Sequence, residues 1–204
     1  MKASIFYNYH LLGDVLLVNI ESEIIPTHSV SKGDVTVVYY NDRVVGINIF
    51  NFSNIIKFKT EGRIILPPDT LIDIINDKCV DFGIEKIDYV HESGFKVGKI
   101  ISVEEHPESN HLHLLKVDLG SEVLDIVCGA KNVKENMHVV VATIGTTMND
   151  GTVIKKGELL GEVSYGMCCS PKELGLKIDY PAHYLLEVDE SIPLGSDFFS
   201  LEGK

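Results

Sequence analysis

Apolar and polar residues alternate with a strand-like period along most of the first half of the chain. The run DVLLVNI at residues 14–20 predicts a buried strand. Residues 34–50 hold two β-branched runs on either side of Asn41 and Asp42, which predicts a hairpin that turns at this pair. The first half is therefore expected to contain a sheet.

One segment of the first half follows a helical period instead. Residues 67–84 predict a helix with Asp69 or Thr70 as its N-terminal cap and Gly83 at its end. Its apolar stripe consists of Leu71, Ile72, Ile74, Ile75 and Cys79. The polar stretch HESG at residues 91–94 then predicts a domain boundary. Residues 1–92 are interpreted as an α+β domain, and no motif in them indicates a role.

The second half consists of short apolar runs separated by turn residues. The segments that predict strands are residues 96–106, 112–120, 123–130, 138–145 and 151–164, the last of which contains two. The second and third segments form a hairpin around Leu119–Glu122. Short strands separated by glycine turns are typical of a small five-stranded barrel, and at this size the OB fold is the usual form, whose open face commonly binds oligonucleotides. Residues 93–204 are therefore predicted to form an all-β OB-fold domain.

The stretch GMCCSPKELGL at residues 166–176 is interpreted as a corner between a strand and a short helix. Ser170 and Glu173 have the spacing of a capping box, in which each side chain binds the backbone N–H of the other residue. Gly175 suits the left-handed conformation that ends such a helix. Of the adjacent Cys168 and Cys169, one is expected to face the core and the other the surface.

The net charge of the chain indicates which classes of binding partner to expect. The 204 residues include 30 acidic and 18 basic ones, a net charge of −12. Nucleic-acid binders usually show a basic footprint, so the bulk charge argues against that class but stays compatible with a local basic patch. The N-terminal residues do not have the pattern expected of a secretory leader, and no apolar run reaches the roughly 18 residues that span a bilayer. With four cysteines, two of them adjacent, the chain is expected to be a cytoplasmic protein with reduced thiols.

Enzyme chemistry finds little support in the sequence. Three histidines and three cysteines could supply metal ligands or a nucleophile: His106, His111, His113, Cys128, Cys168 and Cys169. The paired C-x-x-C spacing of structural zinc sites is absent, and nothing places a base beside Cys128. We therefore predict no catalytic residue, no metal and no cofactor. A thiol-dependent or zinc enzyme is kept as an alternative, ranked after the two functions given below.

Several motifs of the second half together resemble a known family. In chain order they are HPESNHLHLLKVDLG, IVCGAKNV and LLGEVSYGMCCSPKELGL, between about Val97 and Leu176. They resemble the tRNA-binding OB domain at the start of the bacterial phenylalanyl-tRNA synthetase beta subunit. The chain length and the unrelated first half resemble the stand-alone YtpR-type proteins, which carry this domain without a synthetase catalytic core.

The resemblance implies a non-catalytic protein that binds tRNA or other structured RNA by shape and backbone. Carried over by position, the binding face would include Asn132, Ser164 and Met167, with Ser170 next to them. The candidate phosphate partners are Lys131, Lys134, Lys155, Lys156 and Lys172. The acidic charge favours an alternative function, a protein-interaction module that docks on a translation-related partner. Residues 1–92 could also form a homodimer, which would raise the apparent affinity of a weak binder.

Overall fold

The computed structural model describes residues 3–21, 23–57, 61–87, 89 and 92–201. The chain divides into two compact units, Met1–His91 and Glu92–Lys204.

The N-terminal unit is built on a six-stranded antiparallel sheet. Its strands are β1 (Ser4–Tyr7), β2 (Val15–Asn19), β3 (His28–Lys32), β4 (Val35–Tyr40), β5 (Arg43–Phe50) and β6 (Gly62–Ile64), in the order β3-β4-β5-β2-β1-β6. The predicted strand at residues 14–20 is β2, and the predicted hairpin is β4–β5. Asn41 turns this hairpin with φ 52°, a left-handed conformation that asparagine tolerates well.

Two helices accompany this sheet, α1 (Tyr9–Leu12) and α2 (Asp69–Cys79). The predicted stripe of α2 is confirmed, because four of its five residues are buried in one core with the sheet and Ile74 packs against that core. The predicted cap is wrong by one position. Pro68 precedes the helix, so Asp69 lies inside its first turn. With six strands and one helix of more than a turn, the unit is β-rich rather than clearly α+β.

The Asp14 carboxylate links three elements of the N-terminal unit. It accepts hydrogen bonds from the Tyr7 hydroxyl at 3.0 Å and from the backbone N–H and hydroxyl of Ser53 at 2.8 and 2.7 Å. Burial raises the pKa of Asp14, but the hydrogen bonds from Ser53 and Tyr7 outweigh burial and leave this pKa below its ordinary value of 3.8.

We expect Asp14 to make the unit sensitive to acid. Because the pKa is lower in the folded state, the carboxylate stabilises the fold above pH 3.8, and this stability is lost as the pH falls through the folded pKa. Urea denaturation between pH 2 and pH 6 should show a steeper loss for the wild type than for Asp14→Asn. Asp73→Asn, an exposed change on α2, serves as the control and should keep the wild-type profile.

The C-terminal unit is a nearly closed five-stranded antiparallel barrel of the OB-like type. Its strands are β7 (Phe95–Glu105), β8 (His113–Asp118), β9 (Val123–Cys128), β10 (His138–Thr143) and β13 (Gly166–Cys168), in the order β13-β10-β7-β8-β9. A separate hairpin of β11 (Gly157–Leu159) and β12 (Glu162–Ser164) lies between β10 and β13 in the chain. The Tyr165 N–H donates to the Asp125 carbonyl at 2.8 Å and thereby ties the two ends of the sheet together.

Two apolar clusters fill this unit, and they divide the residues of β13 between them. Cys168 and Cys128 lie in the barrel interior with Ile100, Val139 and Val141. Cys169 lies in a second cluster with β7 and β10 residues and the segment around Phe198. The expectation that one of the adjacent cysteines faces the surface is wrong, because Cys168 lies in the barrel interior and the C-terminal segment covers Cys169 on the other side of the sheet.

The C-terminal segment is bonded directly to β7. The Val97 N–H donates to the Ser196 carbonyl at 2.9 Å, and the Gly195 N–H donates to the Val97 carbonyl at 2.8 Å. The Asp197 carboxylate accepts the backbone N–H and the hydroxyl of Ser93, both at 2.7 Å, from a residue 104 positions away. These bonds hold the start and the end of the unit together.

Candidate nucleic-acid interface

A groove of about 340 Å³ lies on the face formed by β7, β8 and β9. Its strand residues include Ser102, Glu104, Leu114, Lys116 and Asp125, and the β11–β12 hairpin supplies a wall at residues 161–163, next to Tyr165. In OB folds the face of the second and third strands, flanked by the loops after strands one and four, is the usual oligonucleotide site. The groove therefore occupies the position at which the fold predicts a ligand.

His106 connects the two loops that flank this groove. Its side chain is 4% exposed, and its Nε2 lies 3.2 Å from the carbonyl oxygen of Leu159 at the tip of the β11–β12 hairpin. The Glu108 N–H donates to His106 Nδ1 at 3.1 Å. An Nδ1 that accepts requires Nε2 to carry the proton, so the imidazole donates to Leu159. The sequence does not indicate this contact, because His106 and Leu159 lie 53 positions apart.

All five predicted phosphate partners are exposed and lie on three loops, and one of them, Lys134, is paired with a carboxylate. Lys155 and Lys156 immediately precede β11, and Lys156 Nζ lies 5.2 Å from the centroid of the Tyr165 ring. Lys131 follows β9, and Lys172 follows β13. Two lysines of the barrel are engaged with carboxylates, Lys116 with Asp125 at 2.8 Å and Lys134 with Glu187 at 3.0 Å.

The Asn132 side chain holds the chain segment around Leu185 against the loop after β9. Its Nδ2 donates to the Leu185 carbonyl at 3.0 Å, and the Leu185 N–H donates to its Oδ1 at 2.8 Å. An amide has two N–H groups and two acceptor positions on its oxygen. After these two bonds, one N–H of Nδ2 and one acceptor position of Oδ1 remain for a ligand. Asn132 therefore serves the fold first, and its predicted contact with RNA stays a prediction.

Ser164 and Met167 have different environments in the barrel. Ser164 is 5% exposed, and its hydroxyl accepts the Val127 N–H at 3.1 Å and donates to the Gly166 carbonyl at 3.0 Å. It thus completes the seam between β9 and β13. Met167 is half-buried and packs against the second cluster, where part of its side chain stays accessible.

Replacing Ser164 by alanine should lower the free energy of unfolding of the barrel by about 1–2 kcal/mol, because the partly buried Val127 N–H loses its acceptor and the Gly166 carbonyl loses its donor. Urea denaturation measures this loss. Ser121→Ala, a change at an exposed position in the β8–β9 turn, should stay within about 0.5 kcal/mol of wild type. Equal stability of the two variants would contradict a structural role for the Ser164 hydroxyl.

Ser170 forms the predicted capping box, but no helix follows it. The Ser170 N–H donates to Glu173 Oε2 at 2.6 Å, and the Glu173 N–H lies 3.4 Å from the Ser170 hydroxyl oxygen. Residues 171–175 form a hydrogen-bonded turn rather than a helix, and the turn ends at Gly175, which has φ 74°. The prediction of a short helix is wrong because Leu176 donates back to the Pro171 carbonyl and closes the turn. The box presents Lys172 at the surface.

The cysteines of the barrel are poor candidates for nucleophiles. Burial raises the pKa of the Cys169 thiol to about 12. A hydrogen bond between the Cys168 and Cys128 thiols, together with burial, raises the pKa of Cys168 well above its ordinary value. The same hydrogen bond lowers the pKa of Cys128, but this thiol is buried in the barrel interior. Within the described residues, no three histidine, cysteine or acidic side chains converge as metal ligands. Nor is any helix in the described part of the chain long and apolar enough to cross a membrane.

Comparison with protein families assigns both halves of the chain. Residues 95–197 match the family described as "Putative tRNA binding domain", and residues 25–87 match one described as "Domain of unknown function (DUF4479)". The first range covers all five barrel strands and most of the C-terminal segment. The predicted resemblance over the second half is therefore confirmed.

Individual relatives agree with this assignment. The chain is 39% identical to "Putative tRNA-binding protein YtpR" of Bacillus subtilis over 181 residues, which cover 87% of this chain and 89% of that protein. It is also 44% identical to the phenylalanine–tRNA ligase beta subunit of Vibrio cholerae over 106 residues, or 52% of this chain and 13% of that subunit. The beta subunit of Nitratidesulfovibrio vulgaris is 48% identical over 49% of this chain and 12% of its own length. The chain therefore belongs to the family of tRNA-binding-domain proteins that includes YtpR.

Proposed function

We propose that this protein binds tRNA, or RNA folded in the same way, through its barrel and without catalysis of its own. The observation that carries the proposal is the match of residues 95–197 to the tRNA-binding family, which coincides with a complete barrel. Duplex regions of RNA are recognised by geometry, phosphates and 2′-hydroxyls rather than by base sequence. A rigid barrel that presents lysines on its loops suits this kind of recognition.

The charge of the barrel favours weak binding. Between Lys96 and Leu176 the sequence holds 8 lysines and 11 acidic residues, a difference of −3. Two of these lysines are already paired with carboxylates. Phosphate contacts are therefore few, and affinity in the range of about 10⁻⁴ to 10⁻⁶ M at physiological salt is expected.

The absence of catalysis is supported by the state of the cysteines. A catalytic thiol needs a lowered pKa and access to substrate. Cys168 and Cys169 have raised pKa values, and Cys128, whose pKa is lowered by its hydrogen bond with Cys168, is buried like the other three cysteines. Reaction of these thiols with a substrate would require the barrel to open first.

Met167 is the clearest single residue for testing direct contact, because its loss leaves the barrel seam intact. Met167→Ala should weaken tRNA binding roughly fivefold, the effect of truncating a side chain that contributes about 1 kcal/mol to an interface. Fluorescence anisotropy with labelled tRNA measures it. Met148→Ala, in the same cluster but buried, controls for general loosening and should change stability more than affinity.

The experiment that tests the proposed function is binding of the full-length protein to labelled total tRNA across a salt series, beside an unstructured RNA of equal length. Preference for tRNA and a decline of affinity with salt would support the proposal, and the slope would count the phosphates contacted. Absence of binding to either RNA, even at low salt, would overturn it.

A further inference from the structure

The groove on the face of β7, β8 and β9 has the wrong charge for a phosphate backbone. Its lining includes the carboxylates of Glu104, Asp125 and Glu162 against the single ammonium group of Lys116. Lys116 is already held by Asp125, with 2.8 Å between Nζ and Oδ1. Lys156 lies near the rim, where its Nζ is over the Tyr165 ring rather than beside a carboxylate. The lining therefore keeps an excess of negative charge.

An RNA strand in this groove would bring phosphates close to the carboxylates of Glu104 and Glu162. Lys116, the cation among the described lining residues, lies near Glu104 but is already paired with Asp125. Like charges at such distances are unfavourable, and RNA affinity depends on the opposite arrangement. A cationic ligand meets the complementary field. The position that OB folds usually give to an oligonucleotide is thus better suited here to a basic ligand.

The hairpin that walls the groove also exposes two leucines. Leu159 and Leu160 are 43% and 56% exposed. Leu160 has φ 49° and Gly161 has φ 84°, both in the left-handed region. A two-residue turn of this form normally takes asparagine or glycine at the first position, and a leucine there costs roughly 1–2 kcal/mol. An apolar side chain is therefore presented to solvent at a position where the backbone disfavours it.

The wall is fixed in place before any ligand arrives. His106 donates to Leu159 and accepts from Glu108, which anchors the hairpin tip to the loop before β8. On the other side, the Tyr165 N–H is bonded to Asp125. A groove held at both edges loses little conformational entropy on binding, which favours recognition of a short segment.

We propose that this groove binds a basic, extended segment of a protein partner. Lysine or arginine side chains of the segment meet Glu104 and Glu162, and an apolar side chain packs on Leu159, Leu160 and the exposed ring of Tyr165. Exposed apolar side chains beside carboxylates offer a basic segment both a packing surface and complementary charge. The volume of about 340 Å³ accommodates a few side chains, so the segment is short.

The test measures anisotropy of a fluorescein-labelled octapeptide, Lys-Leu-Lys-Ser-Lys-Leu-Lys-Ser, with the full-length protein. Its counterparts are the same peptide with glutamate in place of lysine and one with serine in place of leucine. The first peptide is expected to bind saturably, and each counterpart at least about fivefold more weakly. Saturable binding of the glutamate peptide with equal affinity would overturn the charge argument.

Variants locate the site. Glu104→Gln with Glu162→Gln should weaken peptide binding about tenfold, since two charge pairs contribute at most about 1 kcal/mol each at an exposed site. Leu160→Asn should weaken it about threefold without unfolding the hairpin, because asparagine tolerates a positive φ. Glu122→Gln with Glu135→Gln, exposed acids on other loops of the same unit, is the matched control and should change nothing.

The same variants are then tested with tRNA. The proposal expects the Glu104→Gln and Glu162→Gln variant to bind tRNA as well as the wild type or better. A loss of tRNA affinity would mean that RNA occupies the groove, and unchanged peptide affinity in all groove variants would place the peptide elsewhere. Either result overturns the proposal. If the wild type binds no RNA at all, the peptide result still stands by itself.

Discussion

Replacing four exposed lysines of the barrel by glutamine should lower tRNA affinity at least tenfold at physiological salt. The four are Lys131, Lys155, Lys156 and Lys172. Each lysine that contacts a phosphate contributes roughly 0.7–0.9 to the slope of the logarithm of affinity against the logarithm of salt concentration. If all four do so, the slope should fall by about 3, which makes the salt dependence a sharper measure than affinity alone.

The matched control removes the same charge from the N-terminal unit. It replaces Lys32, Lys57, Lys78 and Lys86 by glutamine. Both variants change the net charge from −12 to −16, so a general loss of long-range attraction would affect them equally. A larger effect of the barrel set would assign the contacts to the loops after β9, before β11 and after β13. An equal loss of tRNA affinity in the two variants would contradict contacts at these loops. The loss would then be explained by the change in overall charge alone.

Position matters within the barrel set. Lys156 lies over Tyr165 beside the groove, while Lys131 and Lys172 lie on the loops after β9 and β13. Single replacements should therefore resolve which loops lie against RNA. Because the groove itself is acidic, we expect the loops after β9 and β13 to contribute more of the slope than Lys156 does.

The largest expected loss of stability comes from Gly195→Ala, at about 3 kcal/mol or more. Gly195 has φ 79°, which already costs an alanine about 1–2 kcal/mol. An added Cβ would also lie 2.6 Å from the backbone oxygen of Leu119, which cannot turn aside as a side chain can. Relief of this overlap would require the C-terminal segment to leave β7, with loss of the hydrogen bond from Gly195 to Val97.

Gly151→Ala separates these two costs. Gly151 has φ 90°, and a Cβ built there has no atom within 4 Å. Gly151→Ala should therefore lose only the free energy that a positive φ costs an alanine. The additional loss in free energy of unfolding for Gly195→Ala, measured by urea denaturation, is then the cost of the overlap with Leu119. Similar losses for both would mean that the C-terminal segment packs more loosely against the β8–β9 turn than the structure describes.

The local features of this protein were predictable from its sequence because they depend on neighbours in the chain. The period of residues 14–20, the turn at Asn41, the stripe of α2 and the glycine-separated strands of the barrel each follow from backbone preference and burial over a few residues. The order of the motifs in the second half also indicated the family. Even the Ser170–Glu173 box formed as expected, since its two residues lie only three positions apart.

The tertiary structure decided what the side chains of the candidate site do, because their partners are distant in sequence. Asn132 clamps Leu185 across 53 positions, Ser164 closes the seam to Val127 across 37, and His106 reaches Leu159 across 53. Burial of Cys168 and Cys169 depends on a segment that follows them in the chain. The charge of the groove arises only when Glu104, Asp125 and Glu162 meet from three strands. Such contacts are set by how the barrel closes, and no period or motif along the chain encodes that closure.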